Sequence, residues 1–218
     1  MYASQQKENV LLEASGGSLI GGIDEVGRGA LAGPLVSICY IRKITTTLPC
    51  VKDSKQLSPA ERMRLLQPLF SAAECWGAGI VEADEIIDHG MSWAVRESFE
   101  RALAACAIMP DLVLYDGRAV SLSHPNTIPQ VKGDVHHATI ASASIIAKVM
   151  RDILMTGLHA SFPRYHFNEH KGYGTRQHLE AIHRWGMLPH IHRSTFIHEN
   201  NGLRSAGKQT TLWSWNSE

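Results

Sequence analysis

Two adjacent carboxylates, Asp24 and Glu25, close the apolar run Leu19-Ile20-Gly21-Gly22-Ile23, and the glycine-rich turn Val26-Gly27-Arg28-Gly29 follows them. An acidic pair at the end of a buried strand is costly unless compensated, and a divalent cation is the commonest compensation. Regular alternation sends neighbouring side chains to opposite faces of a strand. The pair is therefore expected to reach one site through a bend in the backbone, which Gly27 and Gly29 leave free to form. Asp116 ends a second apolar run and precedes Gly117, so its surroundings resemble those of Asp24. Asp134 follows Lys132-Gly133, just ahead of a long helical pattern. From the residues alone two readings stand side by side for each. Asp24, Glu25 and Asp116 are either cation ligands or the polar ends of strands at tight turns, and Asp134 is either a ligand or a helix cap.

The elements that must position these groups follow from the hydrophobic pattern. Residues 19–26 and 33–41 are apolar runs with a short connection, which predicts an antiparallel hairpin. Ser58-Pro59-Ala60-Glu61 is a helix start, with Ser58 as N-cap and Glu61 completing a capping box. Met63, Leu66 and Phe70 form the apolar stripe of that helix, and Pro68 is expected to end or kink it early. Residues 74–81 read as a third strand, 83–89 as a short helix, and a longer helix carries Val95, Phe99, Leu103 and Cys106 on one side. A strand over 111–115 delivers Asp116, and 128–131 forms a short strand. The strongest helix covers 139–154, with Ile145, Val149 and Ile153 along one side. Residues 162–175 read as a long aromatic, basic loop, and 176–185 as a further helix. Residues 1–17 read as a loose or partly helical arm, 18–199 as the main domain, and 200–218 as a tail in which Trp213 and Trp215 alternate with polar residues. Strands, then helix, then strand suits an α/β fold: a mixed central sheet flanked by helices.

The 218 residues suffice for one substantial core. Formal charge is zero, from 21 basic and 21 acidic side chains, but the charge is segregated. Residues 74–116 hold nine acidic groups against two basic, and 141–210 hold nine basic against four acidic. A basic face of that kind can meet phosphates without net positive charge. Cys39, Cys50, Cys75 and Cys106 are widely spaced and make no C-x-x-C pair. With no signal peptide and no apolar run of membrane-spanning length, a soluble cytoplasmic protein with reduced thiols is expected.

Other chemistries fit poorly. Among twelve histidines, the close pairs His136/His137, His166/His170 and His190/His192 lack cysteine partners at finger spacing, and H-E-x-x-H is absent. No G-x-S-x-G elbow occurs, and Ser142 and Ser144 read as small residues packed on a helix. Gly27-Arg28-Gly29 lacks the second half of a dinucleotide fingerprint.

Residues 19–36 resemble the opening signature of ribonuclease HII, the type 2 ribonuclease H family. The resemblance continues through Asp53-Ser54-Lys55-Gln56-Leu57-Ser58, Tyr115-Asp116-Gly117, Lys132-Gly133-Asp134, the run from Ser142 to Asp152, and His170-Lys171-Gly172-Tyr173-Gly174-Thr175. Six motifs in the family's order cover residues 19–196. Three departures are visible: Ala30 where proline is frequent, Tyr115 where an aliphatic residue is commoner, and Ser194-Thr195 where a basic residue then serine is usual. None removes a carboxylate.

The resemblance implies a ribonuclease H-like fold whose first three strands are antiparallel, with a C-terminal helical segment. It implies an endonuclease that hydrolyses RNA in RNA/DNA hybrids and cuts 5′ to single ribonucleotides in duplex DNA, leaving a 3′-hydroxyl and a 5′-phosphate. Asp24, Glu25, Asp116 and Asp134 would be the catalytic residues and would hold two divalent ions, Mg²⁺ or Mn²⁺. Gly27, Arg28 and Gly29 would contact the ribonucleotide's 2′-hydroxyl and adjoining phosphate, largely through the main chain. Tyr173 would pack on the sugar at the RNA-to-DNA junction, and Lys55 would bind phosphate. Ser144, Lys148 and Asp152 share one helical face, on which Lys148 contacts phosphate, screens the acids or pairs with Asp152. Arg193 would be a phosphate or core-edge contact. A monomer with nucleic-acid partners and no membrane is expected. A sliding-clamp partner has only a remote candidate peptide in 209–215. Ribonuclease HIII, which usually carries a large N-terminal substrate-binding domain, and a metal-dead binding protein of the same fold are the alternatives.

Overall fold

The computed structural model describes residues 3–49, 51 and 54–197. The tail with Trp213 and Trp215, and the remote clamp-peptide candidate, lie outside them. In chain order the elements are α1 (Gln5–Ala14), β1 (Leu19–Val26), β2 (Leu35–Lys43), α2 (Pro59–Ala72), β3 (Cys75–Val81), α3 (Ala83–His89), α4 (Met91–Ala104), β4 (Leu112–Asp116), β5 (Thr127–Gln130), α5 (Gly133–His136), α6 (Ala138–Ser161), α7 (Phe167–His170) and α8 (Arg176–Trp185). The strands form one sheet in the order β3-β2-β1-β4-β5. The first three pair antiparallel, while β1 with β4 and β4 with β5 run parallel. This is the expected mixed sheet flanked by helices.

Strand alternation separates two cores. Ile23, Cys39, Ile41, Val113 and Tyr115 face α3 and α4. Ile38 and Tyr40 face α6 and α2, and Ile20, Leu112 and Leu114 face α6 and α1. Helix α6 lies unusually close to β1. A Cβ on Gly22 would stand 2.5 Å from the Thr139 carbonyl carbon, so only glycine lets the two backbones meet there. A third cluster, around Met155, Tyr165, Phe167 and Ile182, joins the second half of α6 to a C-terminal lobe.

Several expectations are corrected by packing. Of the two readings of the N-terminal segment the helical one holds, and the helix is docked: α1 packs through Leu12 and Glu8, both fully buried. Glu8 accepts hydrogen bonds from the Thr139 amide (2.7 Å) and hydroxyl (2.6 Å), and pairs with buried Arg42 at 2.7 Å. Helix α2 has the expected capping box but runs through Pro68 to Ala72, held near its end by the Tyr40 hydroxyl donating to the Leu69 carbonyl at 2.7 Å. Its buried face is Arg62 and Leu69, whereas Met63 and Phe70 are 53% and 37% exposed. Helix α6 extends to Ser161, and the Ile145–Val149 line does not reach Ile153, which is 60% exposed. Steps of four residues drift by about 40° each around a helix and leave the buried face. Residues 162–175 are no open loop. Tyr165, closing a short 3-10 turn, and Phe167, opening α7, are core.

The Glu8–Arg42 pair yields a stability expectation. Glu8→Ala strands a buried guanidinium and is expected to cost about 3–5 kcal/mol in urea unfolding, while Glu8→Met combined with Arg42→Met recovers most of that. A single-variant cost below about 1 kcal/mol would show that α1 is not held this way.

Candidate active site

Parallel pairing sets the geometry of the acids. The register Ile23↔Tyr115 brings the next residue of each strand, Asp24 and Asp116, to the same end of the sheet. Asp116 Oδ1 accepts the Gly133 N–H at 2.6 Å. Lys132, in the left-handed region at φ 57°, turns the chain so that this amide faces the strand end and Asp134 falls in the first turn of α5. The expected bend between Asp24 and Glu25 is absent: β1 keeps register with β2 through Val26↔Val36, and the chain turns afterwards, at Gly27. Both carboxylates still line one cavity because β1 overruns its pairing with β4, which leaves its last residues without a neighbour on that side.

That cavity, of about 370 Å³, is lined by Asp24, Glu25, Asp116, Ser54, Lys55, Ser144, Lys148 and Tyr173. Asp134 is buried beside it, with Lys55 Nζ 3.3 Å from its Oδ2. Burial, then the charge of Glu25 and, more weakly, of Asp116 and Asp134, holds the Asp24 carboxyl well above its ordinary range. Burial and the Asp116 charge push Glu25 up to about 7, against the opposing pull of Arg28 and Lys55. Asp116 is raised by burial too. Arg28 Nη1 lies 3.7 Å from Glu25 Oε1, and Glu25 Oε2 is buried without a hydrogen-bond partner among the described residues. An oxygen-only donor set, an orphaned carboxylate oxygen and acids that raise one another's pKa together fit a hard divalent cation. Among the described residues no three acidic, histidine or cysteine side chains are drawn into a closed cage. Uncompensated like charges keep apart.

The remaining sequence candidates divide. Ser144 exchanges a hydrogen bond with Ser54 at 2.9 Å, and Lys148 Nζ is 2.7 Å from Asp152, the intrahelical pairing. The Arg28 side chain is largely exposed. Gly27 stands at φ +100°, and a Cβ there would come within 2.3 Å of Arg151 Nε. Of its two readings Arg193 takes the core one: it is fully buried. It donates instead to the carbonyls of Gly27 (2.7 Å), Ala30 (3.1 Å) and Gly33 (2.7 Å), and burial lowers its pKa to about 9. Sequence reasoning missed Arg151, which donates to the carbonyls of Pro34, Ala32 and Lys171 at 2.8–3.0 Å and lies 5.3 Å from the Tyr173 ring centroid. The available signal was an arginine seven positions after Ser144, on the buried face of an apolar helix.

Comparison with known proteins places these residues in a family context. The family model for ribonuclease HII matches residues 21–199. Ribonuclease HII of Thermotoga maritima is 42% identical over 178 residues, 82% of this chain and 73% of that protein. Ribonuclease HII of Geobacillus kaustophilus is 43% identical over 198 residues, 89% of this chain and 74% of its own. Among solved structures, the ribonuclease H2 of Pyrococcus horikoshii OT3 superposes with a TM-score of 0.66 at 28% identity, covering 81% of this chain and 93% of that one.

The crowding of acids has a measurable sign. Because the folded-state values of Asp24, Glu25 and Asp116 lie above their ordinary ones, the folded protein holds protons that the unfolded chain releases. These groups therefore make the metal-free protein less stable as pH rises from the ordinary carboxylate range through about 7. Near pH ~8 in chelator, Asp24→Asn is expected to raise the thermal midpoint by about 2–4 °C for each kcal/mol of repulsion relieved. Mg²⁺ should raise the midpoint of the wild type more than that of the variant. A variant that melts below the wild type in chelator contradicts the repulsion.

Proposed function

The chain belongs to the ribonuclease HII family, and on that premise we propose that it is a metal-dependent endonuclease that cuts 5′ to single ribonucleotides in duplex DNA as well as within RNA/DNA hybrids. Its activity is of the ribonuclease H type, the hydrolysis of RNA paired with DNA. The observation that carries the finer reading is the shared cavity, in which the carboxylates of two parallel strand ends face Tyr173 and adjoin the Gly27–Gly29 turn.

Asp24, Glu25, Asp116 and Asp134 hold two Mg²⁺ or Mn²⁺ ions in this reading. The orphaned Glu25 Oε2 and the buried Asp24 are ligands that gain most from a cation. Bound ions supply an activated water and charge stabilisation at the leaving 3′-oxygen. The protein's own groups do the rest. The parallel strand ends fix Asp24 and Asp116 relative to each other, and the Gly133 amide orients Asp116. Lys55 and Lys148 offer cationic heads to the phosphates beside the acids. The exposed turn at Arg28 and Gly29 presents main-chain amides to the 2′-hydroxyl, the group that separates RNA from DNA locally. Tyr173 lays a rigid face against the sugar.

Asp24→Asn or Asp116→Asn is expected to leave the circular dichroism unchanged and to lower cleavage of a single-ribonucleotide duplex by about a hundredfold or more. Chelator should abolish wild-type cleavage, and Mg²⁺ or Mn²⁺ should restore it; full activity in chelator after dialysis refutes the metal assignment. Recognition separates from chemistry in salt titrations. Lys55→Ala and Lys148→Ala should weaken all duplexes and flatten the salt dependence by about one unit of slope per contact. Tyr173→Ala should slow cleavage at a single ribonucleotide while sparing general duplex affinity. Wild-type cleavage rates in Tyr173→Ala would move sugar recognition to the Arg28 turn.

A further inference from the structure

Away from the acidic cavity, three imidazoles lie against one another in the C-terminal lobe. His178, His192 and His170 are 0%, 3% and 8% exposed. His170 stacks on His178, with ring centroids 4.3 Å apart and planes 16° apart, and Phe167 meets His178 edge-on at 5.5 Å. All six ring nitrogens have partners. The Leu188 N–H donates to His192 Nδ1 at 2.8 Å, His192 Nε2 faces His178 Nε2 at 3.2 Å, and His178 Nδ1 faces the Tyr173 carbonyl at 3.0 Å. The Gly172 N–H donates to His170 Nδ1 at 3.2 Å, and His170 Nε2 faces the Tyr165 carbonyl at 2.7 Å.

These partners fix where the protons are. An amide N–H can only donate and a carbonyl can only accept, and a neutral imidazole carries one N–H. His192 accepts at Nδ1, so its proton is on Nε2 and points at His178. His178 accepts that proton at Nε2, so its own is on Nδ1 and is donated to the Tyr173 carbonyl. The hydrogen bonds run one way, from the Leu188 amide through two rings to the backbone of Tyr173. His170 has its proton on Nε2 by the same argument. Burial supports three neutral rings, lowering His178 and His192 to about 4 and pulling His170 down as well. The charged or titratable groups acting on His170 are Glu169, His166 and Lys171, and those acting on His178 and His192 are the other imidazoles.

The chain ends where the cavity wall begins. The Tyr173 N–H donates to the His170 carbonyl at 3.0 Å, and the Tyr173 carbonyl also accepts from Thr175 at 2.8 Å. The Gly172 carbonyl accepts the Leu31 and Ala32 amides, and Ala30 bridges to Tyr173, so the Tyr173 segment is registered on the Gly27–Pro34 loop. We propose that His178 and His192 are positioning residues for sugar recognition: their ordered N–H chain sets the backbone that carries Tyr173, and with it the preference for a ribonucleotide over an all-DNA duplex. The inference rests on the assignment of Tyr173 to the sugar.

The test uses the full chain with His178→Asn, His178→Phe and Tyr173→Ala. Asn retains a donor near the Nδ1 position, whereas Phe keeps the ring packing and loses both nitrogens. Expected is a fall of about tenfold or more in kcat on a single-ribonucleotide duplex for His178→Phe, with KM and all-DNA affinity within about twofold, and recovery of most of the loss in His178→Asn. His178→Phe combined with Tyr173→Ala should cost little beyond Tyr173→Ala alone. If Tyr173→Ala impairs cleavage and folded His178→Phe does not, the positioning role is overturned. If Tyr173→Ala cuts like wild type, the sugar assignment has failed and the proposal with it. Long-range ¹⁵N correlation spectra of the wild type near pH ~6.5 read the tautomers directly, whatever the folding of the variants. Nδ1–H on His178 with Nε2–H on His192 is expected, and the opposite tautomers or charged rings overturn the chain.

Discussion

Two parallel strand ends and one helical turn bring carboxylates to the rim of a low-dielectric cavity, and their mutual repulsion is the constraint to which the surrounding structure answers. Coulomb energies there are several times those in bulk water. The answer is partly cationic: Arg28 stands near Glu25, Lys55 near Asp134, and Lys148 lines the wall. Arg28 and Lys55 are largely exposed, so water and salt screen their charge. Lys148 is itself tied to Asp152, which also lies 3.7 Å from Arg62. The site keeps a residual demand for positive charge, which a cation-binding centre needs and a folded protein otherwise avoids.

Three of the described arginines are fully buried, and they solve the problem of a buried cation in two ways. Arg42 meets a carboxylate, Glu8. Arg151 and Arg193 make no ion pair among the described residues and spend their N–H groups on backbone carbonyls, those of the loop between β1 and β2 and, for Arg151, that of Lys171. The loop's carbonyls turn inward toward two guanidinium groups, and the amides from Ala30 to Gly33 are taken by other carbonyls, which leaves those of its exposed tip. Among the described residues the Arg28 and Gly29 N–H groups donate to none of the protein's own acceptors. The result is a positively polarised turn whose shape is set from beneath, independently of the side chains it displays.

Much of this was legible in the sequence, because local signals and long-range packing agreed. The hairpin, the Ser58 capping box, the strand before Asp116 and α8 all follow from turn chemistry and apolar periodicity. The adjacent acids and the glycines after them marked the end of β1. Periodicity failed where packing came from more than one side. Helix α6 is buried nearly all round in its first half, so no stripe describes it. The C-terminal lobe holds His170, His178 and His192 as core, against the usual reading of a His- and Lys-rich stretch as solvent loop. Arg151 was hidden for the same reason, and Arg193 was left open between phosphate and core edge. A charged side chain reads as surface until its acceptors are known, and here the acceptors are backbone carbonyls, which leave no trace in residue identity.

The contact between Arg193 and the Gly27 carbonyl spans 166 residues of chain. Closing a loop of that length forfeits entropy that only the assembled interior returns, so such contacts form late. The strand that bears Asp24 and Glu25 can pair earlier, since β1 and β2 adjoin in sequence. During synthesis the acidic strand end thus precedes the brace that shapes its neighbouring turn. A chain interrupted between Asp134 and Arg193 carries all four carboxylates but lacks the Arg193 brace beneath the Gly27–Pro34 loop. Completion of the polypeptide is thereby coupled to the shape of that turn.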